Sequence, residues 1–118
     1  MKVLFAFTLL VAGVVGAVSA EAQDKILEKY DNVQAVQAGE DNYLYIDVRG
    51  NFRPSHNCPH LAFARSRYPL TDARTEAQAR IAVASLLSGF PVNVWTLGCT
   101  QGPERKYPIM TDLQVFRP

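Results

Sequence analysis

The chain has 118 residues, with twelve basic against eleven acidic side chains, for a formal net charge of +1. That near-neutrality argues against a generic nucleic-acid binder, which needs a basic excess to displace phosphate counterions. Hydrophobic residues make up 48% of the chain, enough for one thin core.

Residues 1–20, MKVLFAFTLLVAGVVGAVSA, read as a cleavable secretory signal. Lys2 supplies the positive start, residues 3–15 the apolar run, and Gly16, Ala17, Ser19 and Ala20 the small residues of a cleavage site. The expected cut lies between Ala20 and Glu21, with a second site after Ala22. A spanning helix wants about 20 mainly apolar residues, and this run is shorter, so no membrane span is expected after processing. The expected product is a single secreted or periplasmic domain, residues 21–118. Losing Lys2 leaves that domain neutral but polarised: residues 21–47 are mainly acidic, and residues 48–118 carry the arginines. The two halves are expected to face each other and solvent.

Both cysteines, Cys58 and Cys99, fall in the exported domain, and an even pair in an oxidising compartment is most simply a disulfide. The bond closes a loop of about 42 residues and, on chain entropy, stabilises the fold by about 4 kcal/mol.

Residues 21–30 (EAQDKILEKY) are compatible with a short amphipathic helix or a frayed lead-in. Residues 33–38 (VQAVQA) have strand character and end at the polar turn Gly39-Glu40-Asp41-Asn42. Residues 43–48 (YLYIDV) alternate, with Leu44, Ile46 and Val48 on one face and Tyr43, Tyr45 and Asp47 on the other, which predicts a hairpin. Gly, Asn, Pro and Ser break residues 49–59, and residues 61–64 predict a short third strand. Thr71 or Asp72 starts a helix, with a capping box from Thr75 to Gln78 as a further start signal; Gly89 ends the helix. Residues 77–87 (AQARIAVASLL) are so apolar that most of the helix surface is expected to be covered. Residues 92–97 (VNVWTL) and 109–116 form the last two strands, the latter with Ile109, Thr111, Leu113 and Val115 on one face.

This order predicts an α+β domain: a small OB-like five-stranded antiparallel barrel or curled sheet, with one buried helix between strands three and four. Residues 77–116 also carry Ser88-Gly89, Pro91-Val92, Gly98-Cys99 and Tyr107-Pro108. In these marks the chain resembles a group of small exported bacterial proteins similar in element order to the B subunits of subtilase-cytotoxin-like AB5 toxins. The resemblance implies an OB fold, glycan binding and pentameric assembly.

Three sets of residues are candidates for chemistry. Tyr43, Tyr45 and Trp95 lie on strand faces opposite the aliphatic positions, and aromatic rings with polar tips suit sugar and protein contacts. Packing of the same rings in the core is the competing reading. His56 and His60 flank Cys58 at a spacing that can hold copper or zinc, although two imidazoles fall short of the three or four ligands of such sites. Asp47 and Asp112 could form a hydrolytic pair across neighbouring strands, but no serine sits in a nucleophile elbow. The expectation is therefore a non-catalytic binding module without a cofactor, for a glycan or another secreted or envelope protein, and open to homo-oligomerisation. A periplasmic metal binder and a small secreted enzyme or inhibitor are the alternatives.

Overall fold

The computed structural model describes residues 25–53, 57–102 and 106–118. Six strands and one helix run along the chain: β1 (Ile26–Tyr30), β2 (Val33–Ala38), β3 (Tyr43–Val48), β4 (Ala64–Pro69), α1 (Ala73–Ser88), β5 (Val92–Cys99) and β6 (Pro108–Val115). The domain is α+β, but its sheet differs from the five antiparallel strands expected. The six strands lie in the order β1-β5-β6-β4-β3-β2. Four pairings are antiparallel, whereas β4 and β6 run parallel through Arg65↔Ile109 and Ser66↔Met110.

The extra strand is β1, where a helix or lead-in was expected. Its isolated apolar residues are too few to specify a helix, and the backbone of β5 supplies a ladder from Ile26↔Thr96 to Tyr30↔Val92. Only Asp31 and Asn32 separate β1 from β2, yet these strands form the two ends of the sheet. So short a link spans only about 10 Å, which forces the sheet to curl until its edges approach at that corner. The third strand also starts later than expected, at Ala64, leaving residues 61–63 in the preceding loop.

Alternation puts Leu44, Ile46 and Val48 of β3 and Val92 and Val94 of β5 inside, each at most 2% exposed. Val33, Ala64, Ala82 and Met110 complete the centre of the core, and Tyr30 packs edge-on against Phe52 at 5.0 Å. In β6 the expected face holds at Leu113 and Val115, but ahead of them Met110 turns inward in place of Ile109 and Thr111. The cause is a bulge: Asp112 pairs with Trp95 and Met110 with Thr96, so Thr111 is an extra residue and the alternation slips.

Asp72 caps α1 by accepting a hydrogen bond from the Arg74 backbone N–H at 2.9 Å. Gly89 ends the helix at φ 75°, a left-handed conformation natural to glycine. The helix packs across β2, β3, β4 and β6, but it is not covered on most of its surface. It buries a narrow stripe of small residues, Thr75, Ala82 and Ser85, while Leu87 is 81% exposed. Small side chains let the helix backbone come close enough to bond the sheet through hydroxyls. Ser85 Oγ accepts from the Val33 N–H at 2.9 Å and donates to the Phe90 carbonyl at 2.8 Å. Thr75 Oγ1 donates to the Tyr68 carbonyl at 2.9 Å.

Candidate functional site

The sheet face turned away from α1 carries the polar and aromatic side of the strands, and its β2–β3 corner opens into a cleft. The turn between these strands is closed by Gly39 N–H donating to the Tyr43 carbonyl at 2.8 Å and Asn42 N–H donating to the Gly39 carbonyl at 3.0 Å. Asn42 adopts φ 70°, which asparagine tolerates better than most side chains. Asp41 is held at both carboxylate oxygens: Oδ1 accepts from the Tyr43 N–H at 3.2 Å, and Oδ2 accepts from the Tyr45 hydroxyl at 2.5 Å. Gly39 leaves room for this pair, because a Cβ would sit 2.5 Å from Asp41 Oδ1 and 2.6 Å from Tyr45 Cε1 and would push one of the two side chains aside.

Tyr45 is the centre of an aromatic cluster. Its ring meets Phe63 edge-on at 6.4 Å and Tyr107 edge-on at 5.2 Å, with interplanar angles of 84° and 76°. Partial burial pushes the Tyr45 phenol well above its ordinary pKa, and the hydrogen bond to the Asp41 carboxylate adds to the rise. The phenol therefore remains a neutral donor through the physiological range. With Gln37, Gly39, Glu40 and Asp41, the three rings line an open cleft of about 470 Å³.

Loops supply the far wall. Cys58 and Cys99 are joined in a disulfide with an S–S distance of 2.02 Å, tying the segment before β4 to the end of β5. Beside it, His60 N–H donates to the Lys106 carbonyl at 2.8 Å and Thr100 N–H to the Tyr107 carbonyl at 2.7 Å. Tyr107 N–H donates to Thr100 Oγ1 at 3.3 Å, and the His60 ring packs on Tyr107 at 4.9 Å. Tyr107 is thus positioned from both strands of the laced loop.

Of the three aromatic candidates, the structure brings only Tyr45 to this cleft. Tyr43 lies under the Arg65 guanidinium, 3.9 Å from its ring centre. Trp95 sits on β5 between Leu27 and Asp112 in the strand register, away from the cleft. Phe63 and Tyr107 were missed because they precede strands rather than lying within them, outside the reach of an alternation argument. Their nearness in sequence to Cys58 and Cys99, the one long-range link legible in the chain, is the signal that could have found them.

The other candidates separate in space. Among the described residues, no group of three or more His, Cys, Asp or Glu could hold a metal. Cys58 is spent in the disulfide, His60 supports Tyr107, and His56 lies outside the described residues, as do Ala20 and Glu21. Asp47 and Asp112 do not meet across neighbouring strands, because β4 lies between β3 and β6. Asp112 instead pairs with Lys25 at 3.2 Å. The arginines also behave differently from a simple counterweight to the acidic half. Arg53 reaches Glu28 at 2.8 Å, but Arg74 and Arg80 pair within their own helix region, and Arg65 and Arg74 lie over tyrosine rings.

No helix among the described residues is long and apolar enough to cross a membrane. Compared with family models, curated proteins and solved structures, the chain matches none.

Proposed function

We propose that this protein is an exported, non-catalytic binding module that holds a saccharide in the cleft beside Tyr45. The observation that carries the reading is the convergence of Tyr45, Phe63 and Tyr107 with Gln37, Glu40 and Asp41 on one depression. Its volume of about 470 Å³ falls within the range of small-ligand sites, about 300–1,000 Å³. A sugar presents an apolar C–H face, which an aromatic ring covers, and an edge of hydroxyls, which carboxylates and an amide bind.

The strand arrangement supports the same reading. Counting β1 and β2 as one bent strand interrupted at Asp31-Asn32 gives a strand order compatible with an OB-like five-stranded barrel, its third and fifth strands parallel. Such barrels bind oligosaccharides on the face of their second and third strands and on the loops after the first and fourth. In this chain those positions are β3, the approach to β4, the 39–42 turn and the loop leading to Tyr107. The resemblance to relatives of toxin B subunits expected from the marks in residues 77–116 would imply the same class of ligand. The disulfide, together with the signal-like residues 1–20, supports an oxidising destination outside the cytosol.

A glycan array followed by calorimetric titration of the best ligand tests the proposal. Tyr107→Ala should weaken binding about tenfold, equivalent to ~1.4 kcal/mol, while Trp95→Ala, on the same sheet but outside the cleft, leaves it unchanged. An array on which no saccharide binds, or binding lost with Trp95 and kept without Tyr107, sinks the reading.

A further inference from the structure

The carboxylates that can bind sugar hydroxyls also give the cleft a sign: among the described residues, every charged side chain lining it is acidic. Asp41 is fixed by its bonds to Tyr43 and Tyr45. Glu40 is exposed and makes no ion pair among the described residues. Arg65 stands opposite Tyr45 in the β3–β4 register, but its guanidinium rests on Tyr43 and its Nε donates to the Ser66 carbonyl at 3.2 Å. Its charge still acts on the Tyr45 phenol from behind the cleft wall, opposing but not outnumbering the two carboxylates at the rim.

The rings add to the same field. Tyr45 stands nearly perpendicular to both Phe63 and Tyr107, so the three rings present faces in more than one direction around the depression. Aromatic faces are electron-rich and attract ammonium groups, and several of them at large angles make a cage for such a group. Two carboxylates at the rim deepen the attraction. An anionic sugar, bearing a carboxylate or sulfate, meets repulsion from both the rim and the ring faces.

We propose that the ligand is an amino sugar, recognised through its protonated amine between the aromatic walls and the Asp41 and Glu40 carboxylates. This rests on the saccharide reading above and narrows it to a cationic class. The hydroxyls of the sugar engage Gln37 and the phenol groups, while the charge decides between otherwise similar sugars.

The experiment titrates the purified protein with chitosan oligosaccharides, with their fully N-acetylated counterparts and with tetramethylammonium, following ring-proton shifts of the cluster. At pH 6, where the sugar amine is charged, the free-amine oligosaccharide should bind about tenfold more tightly than the acetylated one. The preference should fall by about half or more in the Glu40→Gln variant, which removes one rim charge and leaves both Asp41 bonds in place, and to about twofold or less in Glu40→Gln/Asp41→Asn, whose amide oxygen can accept from Tyr45 or from the Tyr43 N–H but not from both. It should also fade as pH rises through the titration of the sugar amine. Equal binding of the two oligosaccharides overturns the amine inference and leaves the saccharide reading standing. Binding of tetramethylammonium without any saccharide refutes the sugar and keeps the cationic cage. Silence from all three probes removes both.

Discussion

Removing the Cys58–Cys99 bond is the perturbation whose size the structure sets most directly. The bond joins positions separated by 41 residues. Releasing a span of that length in the unfolded chain costs the fold about 4 kcal/mol at 25 °C on chain entropy. Domains of this size hold roughly 5–10 kcal/mol in total, so Cys58→Ala/Cys99→Ala should remain folded with a thin margin. Both cysteines are only 4% exposed, so the alanines also leave unfilled space, which adds to the loss. Urea unfolding followed by Trp95 fluorescence measures the change. The midpoint should drop steeply, and the slope should rise as the freed chain exposes more surface. A loss below about 1 kcal/mol would refute the reasoning. It would mean that the bonds from His60 to Lys106 and between Thr100 and Tyr107 hold the loops without the cross-link.

Two further predictions concern α1. Ser85→Ala strips the Val33 N–H and the Phe90 carbonyl of their partner in a fully buried position, and should destabilise the domain by about 2 kcal/mol in a thermal melt; an unchanged melting temperature would show that neither bond contributes. Asp72 is held down to about 2, first by its hydrogen bond from the Arg74 side chain and then by that from the Arg74 backbone N–H. A carboxyl whose folded pKa lies below its unfolded value of about 3.9 contributes fully above that value and loses its contribution as pH falls towards 2. Asp72→Asn keeps an oxygen for the cap but has no proton to gain, so its stability should decline less than the parent's between pH 4 and 2. Parallel acid limbs for the two proteins would contradict the assignment.

The parts of the fold legible in the sequence were those governed by local rules. Alternation placed Leu44, Ile46 and Val48 inside, and of the start signals at Thr71, Asp72 and Thr75 the structure uses Asp72, with Gly89 as the stop, because each depends on neighbours a few residues away. What escaped was set by distant partners. Residues 26–30 are extended because β5 is there to pair with them, and β6 changes face because Thr111 is bulged out opposite β5. The apolar richness of α1 overstated its burial, since composition does not say how wide a trough the sheet offers. In the cleft, Tyr45 was visible as an outward strand residue, whereas Phe63 and Tyr107 reach it from loops that only the cross-linked geometry brings together.

The two-residue link at Asp31-Asn32 bears on how the molecule comes into being. Strands made first occupy both borders of the sheet, and β1 finds its neighbour only in β5, after the helix has been made. β4 likewise waits for β6, the last strand of the chain, before it gains its second neighbour. Pairings between such distant segments close slowly, on the scale of milliseconds to seconds for β-rich domains. A nascent chain lacking β6 cannot finish its sheet.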